Sequence, residues 1–243
     1  MRSVVVIPAR MASSRFPGKP LCDLAGKPMI QWVYEAAIKS QVSDEVVIAT
    51  PDQEILDAAK AFGAPAIRTS IQHPSGTDRI AEVAQSIKAE YYVNVQGDEP
   101  LILPENIAAC AAPLGESDEI LMGSLYTECA DDEIENPAVV KVVVAQNGNA
   151  LYFSRCPIPY PRNPRLGAVN KHVGLYAYRR DVLERYATWR QTPLESTESL
   201  EQLRFLENGV PIRMSKGKPS LLAVDTPEQA EEVRRIILSG GYA

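Results

Sequence analysis

The sequence predicts an α/β fold: a doubly wound, mostly parallel sheet with a β-rich second half. Three observations carry that expectation. Short β-branched apolar runs alternate with helix-period segments, four strand-and-helix units fit in fewer than 100 residues, and after residue 139 a turn signal separates two neighbouring strand-like runs. With 243 residues, 45% hydrophobic and 23% charged, the chain has enough apolar material for a sizeable core and is not a disordered segment. No stretch approaches the roughly 18 apolar residues that span a bilayer.

Residues 4–8 read as a buried strand. Residues 29–40, with Ile30, Val33 and Ala37 on one face, read as a helix entered through Pro28, and 46–49 as a second strand. Ile55, Leu56, Ala59 and Phe62 keep helical spacing until Gly63 stops them; residues 66–68 form a third strand. Ile80, Val83, Ala84 and Ile87 make another helical stripe before a strand at 91–96. In such sheets ligands bind at the carboxyl ends of the strands. Farther on, residues 139–145 and Ala150–Ser154 flank Asn147-Gly148, a pair suited to the positive φ angles of a hairpin turn. Pro157, Pro159, Pro161 and Pro164 then impose a loop, 172–178 is an alternating strand, and helices are expected at 181–187 and 197–208. Thr226-Pro227-Glu228-Gln229 carries the N-cap, N1 proline and capping-box glutamine of a last helix. One domain is expected, without linker or repeat.

Charge narrows the partner. A net charge of −6 argues against nucleic acid. Residues 1–27 nevertheless hold five cations, Arg2, Arg10, Arg15, Lys19 and Lys27, against Asp23 alone, which suggests a small anionic ligand. Cys22, Cys110, Cys129 and Cys156 are dispersed, so no zinc knuckle or disulfide framework is indicated, and the short apolar run at 4–7 is no secretory signal. Cytoplasm is the expected location, and no membrane partner is foreseen.

Three segments are suited to chemistry. The loop from Pro8 to Pro20 follows the first strand and offers Arg10, Arg15 and Lys19 to a polyphosphate; it has neither a Walker A nor a GxGxxG pattern. In His73-Pro74-Ser75-Gly76-Thr77-Asp78-Arg79, Ser75 or Thr77 caps a helix, and Gly76 lets a planar ring approach the backbone. Gln96-Gly97-Asp98-Glu99-Pro100 ends a strand expected to be central. A carboxylate there calls for an ion or substrate, and a hard cation such as Mg²⁺ takes one or two carboxylates plus phosphate oxygens and water. Asp225, before the last helix, is the second carboxylate proposed, in a position where an acid also stabilises a helix N-terminus. His172, Arg155, Glu201 and Gln202 carry no such signal on their own.

Residues 5–10 together with Ser14-Arg15-Phe16-Pro17-Gly18-Lys19-Pro20, the 73–79 and 94–100 segments, Ala150-Leu151-Tyr152-Phe153-Ser154-Arg155 and Val224-Asp225-Thr226-Pro227 resemble the 3-deoxy-manno-octulosonate cytidylyltransferase family. The likeness runs from the first strand to the last helix, and residues 154–161 are similar to its capsule-associated branch. It implies a nucleotide-diphospho-sugar transferase-like fold, with residues 1–128 mainly binding nucleotide and 129–243 mainly binding sugar and a second subunit. The implied reaction transfers CMP from CTP to the anomeric hydroxyl of 3-deoxy-D-manno-octulosonate (Kdo). Arg10, Arg15 and Lys19 would hold triphosphate, with Pro8, Ala9, Ser75 and Thr77 around cytidine. Gln96, Arg155, His172, Tyr176, Glu201 and Gln202 would bind the sugar acid. Asp98 and Asp225 would ligate Mg²⁺, leaving Lys19, Arg10 and the two aspartates as the catalytic set in a homodimer. Ala223, where the family commonly has glycine, Leu221-Leu222 beside it, Met11, and Ser196-Thr197 depart from the pattern, chiefly toward the sugar side. An 8-amino-Kdo or sialate-type acceptor, and a non-catalytic CTP-binding regulator, are the alternatives.

Overall fold

The computed structural model describes residues 2–43, 45–73, 75–219 and 222–240; Pro74 and Leu221 of the segments above lie outside the described residues. β1 (Ser3–Pro8) leads through a long loop and a 3₁₀ turn at Lys19–Leu21 into a small hairpin, β2 (Asp23–Leu24) and β3 (Lys27–Pro28). Then follow α1 (Met29–Lys39), β4 (Val46–Thr50), α2 (Gln53–Ala61), β5 (Ala66–Arg68), α3 (Gly76–Ser86) and β6 (Tyr91–Asn94). The second half consists of α4 (Pro104–Glu116), β7 (Met122–Glu128), β8 (Lys141–Val144), β9 (Ala150–Ser154) and β10 (Asn170–Arg179). It continues with α5 (Arg180–Tyr186), α6 (Pro193–Glu198), α7 (Gln202–Glu207), β11 (Ile212–Lys216) and α8 (Pro227–Leu238).

The main sheet runs β11-β7-β10-β6-β1-β4-β5, with β8 paired to β10 and β9 to β8. Along the main path β10 alone is antiparallel to its neighbours. β1, Ser-Val-Val-Val-Ile-Pro, is buried along its whole length, as a parallel strand covered on both faces must be. β6 lies at the centre of the path, so its carboxyl end and that of β1 open side by side. One core packs Ile30, Val33, Ile107 and Leu114 onto one face of the sheet, and a second packs Ile80, Val83, Leu183 and Phe205 onto the other. A smaller cluster of Leu24, Met29, Leu101, Val224, Ala230 and Val233 docks α8 against the β2–β3 turn.

Several expectations need correction. The segment expected as one helix at 197–208 is two. Thr192 and Glu195 form a capping box that starts α6 early, Ser199 at φ 52° breaks the helix, and Arg204 of α7 folds back onto Glu195 at 2.5 Å. Only Gly148 of the Asn147-Gly148 pair takes positive φ (83°), giving a turn with a shifted register rather than a two-residue hairpin. α4, β7 and β11 were not foreseen. The capped α8 forms as expected, with Thr226 Oγ1 accepting from Gln229 N–H and Gln229 Oε1 from Thr226 N–H.

Candidate active site

The loop after β1 is folded by its own backbone. Met11 N–H donates to Asp52 at 2.7 Å, Gly18 N–H donates to the Met11 carbonyl at 2.9 Å, and Gly18, at φ 75°, turns the chain into the Lys19–Leu21 helix. Arg10, Arg15 and Lys19 thereby share one cleft of about 350 Å³ with Pro8, Ala9, Ser75, Gln96, Asp98 and Asp225. Nine residues singled out from the sequence meet there. Asp98 arrives through Gly97, where a Cβ would stand 2.8 Å from the Pro8 carbonyl and 3.2 Å from Ile30; only glycine lets the end of β6 lie so close to β1.

Asp225 comes from a segment more than 120 residues away, and one backbone bond explains its position. Val224 N–H donates to the Asp98 carbonyl at 2.9 Å, with the Val224 side chain buried in the α8 cluster. Lys19 Nζ then sits 2.7 Å from Asp98 Oδ2 and 3.1 Å from Asp225 Oδ1, and donates to the Val224 carbonyl at 3.1 Å. Arg15 adds a second cation, 2.9 Å from Asp225 Oδ1. Burial pulls the Lys19 pKa down, but the two carboxylates outweigh it and the net shift is upward, so the ammonium stays charged.

Among the described residues no group of three or more His, Cys, Asp or Glu side chains is placed to hold a metal ion. Two carboxylates drawn to one cation in a phosphate-sized cleft do fit Mg²⁺, which completes its shell with substrate oxygens and water.

Of the residues assigned to the sugar, Gln96 lines this cleft and the others do not. His172 packs edge-on against Phe153 and donates from Nε2 to Ser124 Oγ at 2.9 Å, because that hydroxyl spends its own proton on the Leu175 carbonyl at 2.8 Å. Burial pushes the imidazole pKa down to about 3, leaving the neutral ring with Nδ1 as an acceptor. Tyr176 donates to Gln202 Oε1 at 3.3 Å, and Gln202 Nε2 is buried without a partner. Glu201, its pKa raised by desolvation, accepts from Thr77, whose hydroxyl also meets Tyr178 at 3.2 Å. Thr77 therefore turns its side chain toward the sugar cluster, and Ser75 alone of that pair lines the cleft. Arg155 is held apart from both, bonded to the carbonyls of Pro137, Glu198 and Ser199. Glu99, not singled out beforehand, has its pKa raised to about 8 by burial and by Asp98, and its Oε2 is buried without a partner. A Cβ on Gly174 would stand 3.6 Å from Oε1, so the β10 irregularity makes room for this carboxyl.

A family model described as cytidylyltransferase matches residues 4–215. A 3-deoxy-manno-octulosonate cytidylyltransferase of Solibacter usitatus is 50% identical over 95% of this chain and 92% of its own length. One from Escherichia coli is 45% identical over 97% and 96%. A solved structure of CMP:2-keto-3-deoxy-manno-octonic acid synthetase complexed with CTP matches 99% of this chain and 100% of its own, with a TM-score of 0.96 at 44% identity. A cytidylyltransferase from Leptospira borgpetersenii shares the fold, with a TM-score of 0.65 at 16% identity. A cleft in which Lys19 gathers two aspartates from distant segments, on a chain this similar to those enzymes, belongs to the 3-deoxy-manno-octulosonate cytidylyltransferase branch of the cytidylyltransferase family.

Proposed function

We infer that the protein transfers CMP from CTP to the anomeric hydroxyl of Kdo and releases pyrophosphate. The observation that carries this reading is the convergence of Asp98 and Asp225 on Lys19 at the cleft that Arg10 and Arg15 line. Attack of an oxygen on the α-phosphorus forms one P–O bond as the bond to the β-phosphate breaks, which requires placement and charge neutralisation and no side-chain nucleophile. Lys19, Arg10 and Arg15 supply fixed positive charge against the triphosphate. Mg²⁺, held by Asp98 and Asp225, would add Lewis-acid stabilisation of the phosphate oxygens. Pro8, Ala9, Ser75 and Gly76 form the wall for the base. Gln96, His172, Tyr176, Glu201 and Gln202 are proposed to hold the sugar acid, and Arg155 would have to leave its carbonyl partners to join them.

We also propose a homodimer. β9 is paired on one side by β8, and Leu151 on it, with Tyr160 and Leu166 in the following loop, is exposed.

The test is to incubate the protein with CTP, Mg²⁺ and a panel of sugar acids and to follow pyrophosphate. Release with Kdo is expected. Release with a nonulosonic acid alone, or with 8-amino-Kdo alone, assigns a different acceptor, and no release with any acid leaves a CTP-binding protein without the reaction. Recovery of a cytidylylated protein during turnover would contradict direct transfer.

A further inference from the structure

Lys141, at the start of β8, is fully buried, and its ammonium donates to three backbone carbonyls: Asn136 at 2.9 Å, Val139 at 2.6 Å and Arg155 at 2.6 Å. Among the described residues no carboxylate pairs with it, whereas Lys171, opposite it on β10, is paired with Glu133 at 2.7 Å. An ammonium is costly to bury, and an apolar side chain of similar volume would fill the space without that cost. What the charge adds is a link. It ties the turn closed by Val139 N–H on the Asn136 carbonyl to the residue that follows β9, and the neighbouring Val140 carbonyl accepts from His172 N–H at 2.8 Å.

Arg155 is the residue that this link fixes. Lys141 holds its carbonyl, and its N–H donates to Glu198 Oε2 at 2.9 Å, so a charged side chain grips its main chain on each side. Glu198 is itself steadied by Ser154 Oγ, which donates to Oε1 at 2.6 Å. The guanidinium is held differently. It donates to the carbonyls of Pro137, Glu198 and Ser199, all uncharged, and Pro137 lies in the turn that Lys141 closes. A carboxylate is a stronger acceptor for a guanidinium than an amide carbonyl, so the side chain can be drawn off while the main chain stays. Glu201 and Gln202 lie just beyond the carbonyls that hold it. We propose that Lys141 is a positioning residue for the sugar acid: with Glu198 it pins the Arg155 main chain, so that the guanidinium alone moves from its carbonyls to the carboxylate of the acceptor. This inference rests on the Kdo cytidylyltransferase reading and deepens it on the acceptor side.

The test is steady-state pyrophosphate release with CTP and Kdo varied in turn, for wild-type protein, Lys141→Met, Arg155→Ala and the double variant. Lys141→Met is expected to raise the KM for Kdo by about tenfold or more, the loss of a charge-assisted contact, and to leave the KM for CTP unchanged. In the Arg155→Ala background it should raise the KM for Kdo no further, because the guanidinium through which it acts is already gone. Multiplying effects in the double variant overturn the proposal. So does a lowered melting temperature with both KM values unchanged, or an equal rise in both, the marks of a purely structural lysine. If Lys141→Met does not fold, Glu198→Gln decides the matter from the other anchor: its rise in the KM for Kdo must vanish in the Arg155→Ala background, and a rise that persists there, or no rise at all, refutes the proposal. The wild-type rate separates the two readings. Wild-type protein that turns over no sugar acid removes the underlying function and this role with it, whereas wild-type turnover of Kdo with no shift in the variants removes this role alone.

Discussion

Lys19 is 14% exposed at its side chain and holds two carboxylates that would otherwise repel each other. Replacing it with methionine removes the one ammonium shared by Asp98 and Asp225 and the fixed charge meant for the triphosphate. Pyrophosphate release from CTP and Kdo should fall by about 10²–10³, the usual loss for a preorganised donor at a charge-developing centre. Lys19→Arg should not restore it, because a planar fork does not reproduce a point charge between two acids and a carbonyl. His172 gives a second prediction at this scale. Its folded pKa of about 3 lies below its ordinary 6.5, so between those values the unfolded chain binds the extra proton. Stability from this group is complete above pH about 6.5 and is lost as pH falls toward 3. By NMR the His172 ring should show no titration between about pH 5 and 8; a midpoint near 6.5 would contradict its burial in the neutral form.

Among the elements, the break between α6 and α7 depends on Glu195 and Arg204, both buried and bonded by two contacts, Nε–Oε2 at 2.7 Å and Nη2–Oε1 at 2.5 Å. Arg204 also lies over the Tyr186 ring at 4.5 Å. Removing one partner of a buried pair strands the other, so Arg204→Met should cost about 3–5 kcal/mol in chemical denaturation, and an unchanged midpoint would show the pair to be dispensable. This break also explains what the sequence hid. The periodicity through 197–208 is genuinely helical, but Ser199 in the left-handed region depends on a contact between Arg204 and Glu195 that spacing alone does not reveal. α4 was illegible for a different reason: it contains Pro113, and alanines on its other positions blur the contrast with its buried stripe of Ile107, Cys110, Ala111 and Leu114. The strands of the first half were legible because a parallel strand buried on both faces reads as an unbroken β-branched run, as β1 and β4 do. Gly97→Ala tests the packing of the β1 and β6 ends. The added methyl collides with backbone at Pro8, so activity should drop more steeply than stability as Asp98 is displaced, which paired rate and melting measurements on that variant would resolve.

At the level of the whole molecule, the site is assembled from three distant stretches: the loop at 10–19, the end of β6 at 96–98, and the segment entering α8 at 224–225. Residue types marked the first two, since cations after one central strand and a carboxylate after another converge wherever parallel strands end together. For the third, the need for a second carboxylate and the capped start of α8 pointed to Asp225, but what brings it to the cleft was not legible, because the Val224–Asp98 backbone bond and the burial of Val224 under α8 are long-range facts. The sugar residues were assigned only through the resemblance, and Arg155 is the member whose observed bonds least suit its assigned role. A homodimer would cover the exposed apolar residues of the β9 region; light scattering at micromolar concentration should give twice the chain mass, and a monomer would contradict it.

The most direct measurement is the steady-state rate of pyrophosphate release from CTP and Kdo with Mg²⁺ for Asp225→Asn beside wild-type protein, both confirmed folded by circular dichroism. The shared placement of Asp98, Asp225 and Lys19 predicts a fall of at least about a hundredfold in the variant. A wild-type rate from Asp225→Asn would mean that the two carboxylates meet for structural reasons and that the reaction, if it occurs, is held together elsewhere.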